Sequence, residues 1–303
     1  MPKLSIVIPA YNVAPYVRAA IDSALEQTYR SVEVVVVDDG STDETSEILD
    51  SYGDRIVLVR QANRGFAGAR NTGIAHASGE LLGWLDADDI WLPTRSQQCV
   101  DLLNAHPELA AVTTDAFILE GDTPTERRYY GDLYRHGFPT SDQQLPTIVE
   151  RNFMFVGAVA RAALVRDVGS FTESLRRSED YDLWMRLLLA GERFGLIPEP
   201  LAQYRVRPDS LSANAHAQWD AHLTVVERNG AGIRAAGLRP PAGVSYDVAR
   251  RCAARHASRE SAVWYREAMR ATPPSSVMSR AKLAGQSLRQ LCHAAVRGRQ
   301  ATP

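Results

Sequence analysis

Three carboxylates fall within four residues at Asp86, Asp88 and Asp89, directly after the apolar run 81–85, and two more stand side by side at Asp38-Asp39 after the run 32–37. Acids packed this closely repel one another, and each holds its proton more tightly unless a cation neutralises the group. Carboxylate oxygens are hard ligands suited to Mg²⁺ or Mn²⁺, ions that one or two carboxylates commonly share with the phosphates of a ligand. Burying adjacent carboxylates at a strand end is costly unless one of them binds something. Capping accounts for Ser41 or Asp43 but leaves Asp38 and Asp39 unexplained. A further acid pair, Glu179-Asp180, opens a helical pattern. Glu179 beside Asp180 raises the Asp180 pKa, which suits a general base working near neutrality. Acids at a helix N-terminus also offset the helix dipole, and the two residues alone do not choose between these roles.

The elements that must position these groups alternate between two periodicities. Residues 4–8, 32–37, 56–59 and 81–85 read as strands, and 32–37 is almost continuously apolar, as expected where helices cover both faces of a sheet. Between them, residues 14–27 place Val17, Ala20, Ile21, Ala24 and Leu25 on one helical face, Ser41 with Glu44 spells a capping box for a helix through Leu49, and 67–77 reads as a third helix. Such alternation predicts a parallel, doubly wound sheet. In these sheets ligands bind at the carboxyl ends of the strands. Tyr11-Asn12, Asp38-Asp39-Gly40 and the Asp86–Asp89 segment all fall there, so three polar clusters converge on one rim fit for a phosphorylated ligand and a cation. Beyond residue 110 the pattern is less regular. Residues 178–190 form a helix closed by Gly191, 194–197 and 202–206 read as short strands, and the chain after Leu211 is mostly helical, interrupted by the Gly/Pro-rich segment 230–243. The tail after Arg297 is expected to be disordered.

Seven short motifs occur in one order: Pro9-Ala10-Tyr11-Asn12, Ser23-Ala24-Leu25-Glu26-Gln27-Thr28, Val37-Asp38-Asp39-Gly40-Ser41-Thr42-Asp43, Asn63-Arg64-Gly65, Ala69-Arg70-Asn71-Thr72-Gly73, Asp86-Ala87-Asp88 and Ser178-Glu179-Asp180. Together, over residues 3–210, they resemble the inverting glycosyltransferases of family 2. The resemblance implies an α/β GT-A fold: a Rossmann-like, mostly parallel central sheet flanked by helices, here with a helical C-terminal extension. It implies a nucleotide-sugar-binding half at residues 1–110, an acceptor-binding half at 111–212 and a helical, basic region at 213–303. Pro9, Tyr11 and Asp39 would line the base and ribose pocket, with Asp39 accepting a hydrogen bond from the base, and Arg70 would sit near the base as well. Asp86, with Ala87 beside it, would approach the ribose or the metal, Asp88 would hold a divalent cation (Mn²⁺ or Mg²⁺) against the diphosphate, and Asp89 would be structural. Asp180 would be the general base of a single-step inversion. The implied partners are a nucleotide-sugar donor, most simply a UDP-sugar, and a saccharide or lipid-linked acceptor in polysaccharide or glycoconjugate assembly. One position departs from the pattern: family members often carry a His after a Tyr-Arg pair, whereas Tyr204-Arg205-Val206-Arg207 places Arg207 there. An arginine holds a diphosphate bidentately without a metal.

Composition narrows the remaining classes. With 303 residues, 45% hydrophobic and 23% charged, the chain is an ordinary folded protein large enough for real cores. Cys99, Cys252 and Cys292 lie far apart with no CxxC or Cys/His ligand spacing, which argues against a disulfide scaffold or structural zinc and for a reducing cytoplasm. Met1-Pro2-Lys3 runs straight into strand-like sequence, so no secretory leader is expected, and the longest nearly apolar stretch, 153–160, stops at Arg161, short of a membrane span. The net charge of −2 is unevenly spread: from Arg250 to the C-terminus eleven Lys and Arg face two acids, Glu260 and Glu267. This region is a candidate for peripheral contact with the inner face of the cytoplasmic membrane, with Val263, Trp264, Ala268 and Met269 lending apolar character; the alternative is a solvated helical pair. Aromatic and basic residues do not interleave as a nucleic-acid platform requires, so no nucleic-acid partner is expected. Asp182 and Arg186, four apart, read as a surface ion pair. Two other functions fit the sequence less well. A nucleotidyltransferase would want a Gly-rich, basic loop after the first strand, and Pro9-Ala10-Tyr11-Asn12-Val13 has neither glycine nor Lys/Arg. A non-catalytic nucleotide-sugar-binding partner would be signalled by loss of Asp88 or Asp180, and both are present.

Overall fold

Strand β1 (Leu4–Ala10) is buried along its whole length, and its alternate side chains serve two different cores. Leu4, Ile6 and Ile8 join one hydrophobic cluster with Val17, Ala20 and Ile21 of helix α1 (Val17–Leu25). Val7 points the other way, toward helix α3 (Gly65–His76), where Gly73 leaves room for it; a methyl group on Gly73 would lie 2.3 Å from Val7 Cγ1. A strand covered on both faces needs apolar residues at every position, which is why the run is continuous rather than alternating.

In the computed structural model, which describes residues 1–155, 157–207, 210, 214–254, 258–271, 282–283 and 286–287, the elements following α1 are β2 (Val32–Asp38), α2 (Thr45–Asp50), β3 (Val57–Arg60), α3 (Gly65–His76), β4 (Leu81–Trp84), β5 (Ile90–Trp91), α4 (Arg95–Ala105), β6 (Leu109–Glu120), β7 (Thr123–Arg128), α5 (Gln144–Glu150), β8 (Val159–Arg161), α6 (Ala162–Asp167), α7 (Glu179–Leu189) and β9 (Arg193–Val206). One sheet runs β3-β2-β1-β4-β8-β6-β9-β5, with β7 paired to β6. Its first four strands are parallel, as are β6 and β9. Antiparallel pairings of β8 with β4 and β6, of β5 with β9 and of β7 with β6 make the whole sheet mixed.

Several local expectations change in detail. The capping box at Ser41 and Glu44 does not form: the Ser41 hydroxyl accepts from the Asn12 N–H, and Asp43 accepts from the Thr45 N–H at the start of α2. The two short strands expected at 194–197 and 202–206 are one long strand, β9, whose pairing with β6 shifts register around Thr114 and Asp115. Pro198 and Pro200 lack ladder donors, and the irregularity falls beside them. Asp182 and Arg186 are not a surface pair. Asp182 is fully buried, accepts from Thr172 Oγ1 at 2.8 Å and from Arg186 Nε at 2.9 Å, while the Arg186 guanidinium also donates to the Val168 and Ser170 carbonyls. A carboxylate at zero exposure needs that full set of partners, and the cluster clamps the 168–172 loop to α7.

The chain divides into two compact units, Met1–Ile148 with Asn152–Ala215, and Val149–Arg151 with His216–Pro303. The second unit is helical: α8 (Ala215–Arg228), α9 (Gly230–Ala235), α10 (Ala242–Ala254) and α11 (Ser258–Ala271). Trp264 and Ala268 of α11 are buried, and Trp264 sits against Gly230 with Arg234 over its ring. No helix among the described residues is long and apolar enough to cross a membrane. Cys99 and Cys252 are free and buried; Cys292 and the tail after Arg297 lie outside the described residues.

Candidate active site

The loops leaving β1 and β2 are clasped together by the short polar residues of the 38–45 run. Asn12, itself at φ 50°, accepts from the Thr42 N–H at 2.8 Å. The Thr45 hydroxyl accepts from the Val13 N–H at 2.9 Å, and Asp43 accepts from the Ala14 N–H at 3.2 Å. Asp38 belongs to this scaffold rather than to a ligand. It accepts from the Ser41 N–H at 2.9 Å and the Ser46 hydroxyl at 2.6 Å; burial alone would raise its pKa, but these hydrogen bonds outweigh it and hold the carboxyl below its ordinary value.

Asp39 has different partners, and the chain leaves it through Gly40, whose φ of 80° is a left-handed step that a side chain would resist. A Cβ there would also lie 3.1 Å from the Asn63 nitrogen. The buried Asp39 carboxylate receives Gln61 Nε2 at 2.6 Å and the Arg64 and Gly65 N–H groups at 2.8 Å, capping the first turn of α3. Strand register brings this loop beside the others. Ala10 pairs with Asp38, Val7 pairs with Trp84, and the Asp39 and Leu85 N–H groups donate to the Ala10 and Val7 carbonyls.

A cavity of about 390 Å³ opens at this rim. Pro9, Tyr11, Asp39, Ala87 and Asp88 line it, together with Arg64, Phe66, Glu173, Arg176, Arg177 and Arg207. Tyr11 and Phe66 expose 47% and 42% of their surface, leaving aromatic faces available to a planar ring. Three of the residues singled out by sequence, Arg70, Asp86 and Asp180, are not part of this lining.

Those three form the layer next to it. Arg70 is almost fully buried and flanked by the rings of Phe66 and Phe171, at 5.5 and 5.4 Å from their centroids. It donates to Asp86 Oδ1 at 2.7 Å and to Glu179 Oε1, so one guanidinium ties α3 to the end of β4 and to the start of α7. Asp180 follows Glu179, and Asn152 donates to its Oδ2 at 3.1 Å. Burial, then the neighbouring Glu179 charge, push the Asp180 carboxyl up to about 6, with Arg70 opposing them.

The acidic loop after β4 is met by arginines. Arg207 Nε lies 3.2 Å from Asp88 Oδ2. Arg205 donates its backbone N–H to Asp89 Oδ1 at 2.9 Å and its Nε to the Asp88 carbonyl at 2.8 Å, so Asp89 anchors β9 to the loop. Burial raises the pKa of Asp88, and the Asp86 charge adds to it; Asp89 is pushed up well beyond the ordinary carboxylate range, by burial first and then by Asp88 and Asp86. Arginines thus supply much of the neutralisation that the sequence assigned to an ion. Asp88 still stands in a field that resists its charge, and it lines the cavity, so its hard oxygens fit a divalent cation that also takes oxygens from a ligand phosphate. Sequence reasoning missed the Arg70–Glu179 contact, the Asn152 contact with Asp180 and the Arg207–Asp88 pair. Residues 109 positions apart leave no periodic signal; only the departure at Arg207 marked a place to look.

Comparison with known proteins identifies the family and the fold. The model of glycosyl transferase family 2 matches residues 5–169. An uncharacterized glycosyltransferase of Rickettsia typhi is 34% identical over 187 residues, covering 62% of this chain and 59% of the relative, so the chain spans less than two thirds of that protein's length. Among solved structures, S. aureus TarS residues 1–349 in complex with UDP-GlcNAc superposes with a TM-score of 0.64 at 20% identity, covering 98% of this chain and 92% of that one. The mannosyltransferase PcManGT of Pyrobaculum calidifontis, in complex with GDP-Man and Mn²⁺, gives a TM-score of 0.55 at 20% identity over 97% and 86% of the two chains. At that identity the structural likeness speaks for the fold, an α/β fold of the GT-A type with a helical C-terminal part.

Proposed function

Because the chain belongs to glycosyl transferase family 2, we propose that it moves a sugar from a nucleotide diphosphate donor to a hydroxyl acceptor with inversion at the anomeric carbon, Asp180 acting as general base. The observation that carries this reading is one cavity joining Tyr11, Asp39 and Asp88 at the strands' carboxyl ends, with Asp180 tied to its wall through Glu179 and Arg70. The base and ribose would lie among Pro9, Tyr11 and Asp39. Arg70, buried behind the lining, orients Asp86 and α7 rather than touching the base.

In the transfer the acceptor oxygen attacks the anomeric carbon, the bond to the diphosphate breaks, and Asp180 takes the acceptor's proton. A carboxylate at about 6 is ionised at neutral pH yet more basic than an ordinary aspartate, which suits that step. Asp88, with Asp86 beside it, would hold a divalent cation, Mn²⁺ or Mg²⁺, which neutralises charge growing on the leaving diphosphate. Arg207 adds a permanent positive charge to the same wall. TarS holding UDP-GlcNAc and PcManGT holding GDP-Man support a nucleotide-sugar donor on this fold; a UDP-sugar is the donor proposed here, and a saccharide or lipid-linked hydroxyl in polysaccharide or glycoconjugate assembly the acceptor.

Calorimetric titration of UDP, dTDP, GDP and ADP, each with Mn²⁺ and with EDTA, tests the donor site in the wild type and in Asp88→Ala. Micromolar binding of one nucleotide, weakened by EDTA and by the substitution, supports the reading and names the base. If none of the four binds under either condition, the donor site is not where it is placed here.

A further inference from the structure

Among the contacts of the acidic loop, the one between Arg207 and Asp88 stands apart. Arg205 straps β9 to the loop through backbone atoms and through Asp89, contacts that a ligand would leave in place. Arg207 meets Asp88 side chain to side chain, at 3.2 Å, with both groups a quarter exposed or less (24% and 21%) and both on the cavity wall. Its guanidinium lies 5.2 Å from the Tyr16 ring, which also carries Arg205 at 4.7 Å, so a fixed aromatic face holds it close to the loop.

A guanidinium keeps its charge at any working pH. While it rests on Asp88 it fills the electrostatic place of an external cation, and a divalent ion arriving at the same carboxylate meets a like charge a few ångströms away. A nucleoside diphosphate changes the balance, because its oxygens carry enough negative charge for both cations and offer the planar fork a bidentate partner. We propose that Arg207 is a resident counter-ion for Asp88 that competes with the divalent cation before donor binds and transfers to the diphosphate when donor enters. This rests on the donor reading given above and adds an order to it: metal binds weakly before nucleotide and tightly with it, and by linkage each raises the other's affinity.

Removing Arg207 then has opposite effects on the two ligands, which a merely structural role would not produce. Mn²⁺ binding to the full chain is read from loss of the free-ion electron paramagnetic resonance signal, and UDP binding in EDTA by calorimetry, for wild type, Arg207→Ala, Arg207→Lys and Asp88→Asn. Arg207→Ala is expected to bind Mn²⁺ alone roughly tenfold more tightly and UDP in EDTA roughly tenfold more weakly. Arg207→Lys, which keeps a point charge without the fork, is expected to fall between Arg207→Ala and wild type on both readouts, and Asp88→Asn to lose the Mn²⁺ response. Arg207→Ala that weakens Mn²⁺ binding, or leaves either affinity at the wild-type value, overturns the proposal. Should wild type bind none of UDP, dTDP, GDP and ADP, the donor reading fails on its own account, while the Mn²⁺ titration, which needs no nucleotide, still reports the competition.

Discussion

Asp180 carries two opposed demands, and both are measurable. As a base it must be ionised, so turnover at saturating donor is expected to climb with unit slope as pH rises and to level off above about 6. A flat profile between pH 5 and 8 would remove it from the proton-transfer step. Asp180→Asn is expected to lower kcat by roughly 10²–10⁴-fold, the usual share of a general base, while UDP affinity stays at the wild-type value. The same substitution should stabilise the fold. A carboxyl whose folded pKa is raised from 3.8 to about 6 favours folding while protonated, and that contribution is lost as pH rises through 6. At pH 8 the charged form therefore opposes folding, and a neutral amide of the same shape relieves it. A higher Tm for Asp180→Asn than for wild type at pH 8, narrowing toward pH 4, is the expected signature. A lower Tm at pH 8 would mean that the carboxylate is held by contacts more favourable than burial and Glu179 are unfavourable.

Helix α7 brings Asp180 into place, and what fixes α7 is a contact the amino-acid order conceals. Arg70 lies on α3 in the Ala-Arg-Asn-Thr-Gly motif, and its partner Glu179 is 109 residues away. Replacing Arg70 by Met leaves Glu179 buried and Asp86 partly buried without their cation, and breaking such a pair costs roughly 3–5 kcal/mol. Urea unfolding should show a loss of that order, and a loss below about 1 kcal/mol would mean the bridge does not hold the two helices. In Arg70→Met the acid limb of the pH profile should also move upward, since Arg70 lowers the Asp180 pKa. The contrast with β1, β2 and β4 explains what could be read in advance. Those strands are covered on both faces, so their continuous apolar runs announced them, and the polar clusters at their ends followed from topology alone. Strand β6 alternates less clearly and β9 is interrupted by Pro198 and Pro200; their parallel pairing joins segments some eighty residues apart, which local patterning does not record. Asp38 and Asp39 could not be told apart by type. Their surroundings separate them: Asp38 accepts from Ser41 and Ser46, whereas Asp39 accepts from Gln61 and the start of α3 and lines the cavity.

Charge is distributed over the molecule in a way that bears on where it works. Eleven Lys and Arg against two acids from Arg250 onward leave the C-terminal region strongly basic within a chain of net charge −2. Among the described residues, two of the four apolar side chains named for that role, Trp264 and Ala268 of α11, are buried, Trp264 packing on Gly230 beneath Arg234, and Val263 and Met269 are partly buried. Attraction to an anionic bilayer is therefore expected to be electrostatic, worth about 1 kcal/mol per basic residue near the surface and confined to a Debye length of about 10 Å at 0.1 M salt. Co-sedimentation with phosphatidylglycerol-containing vesicles should be marked at 20 mM NaCl, vanish at 0.5 M NaCl and be absent with phosphatidylcholine alone. Binding that survives 0.5 M NaCl would mean that apolar side chains enter the bilayer. No binding even at 20 mM NaCl would remove membrane contact from the account and direct attention to acceptors that diffuse freely.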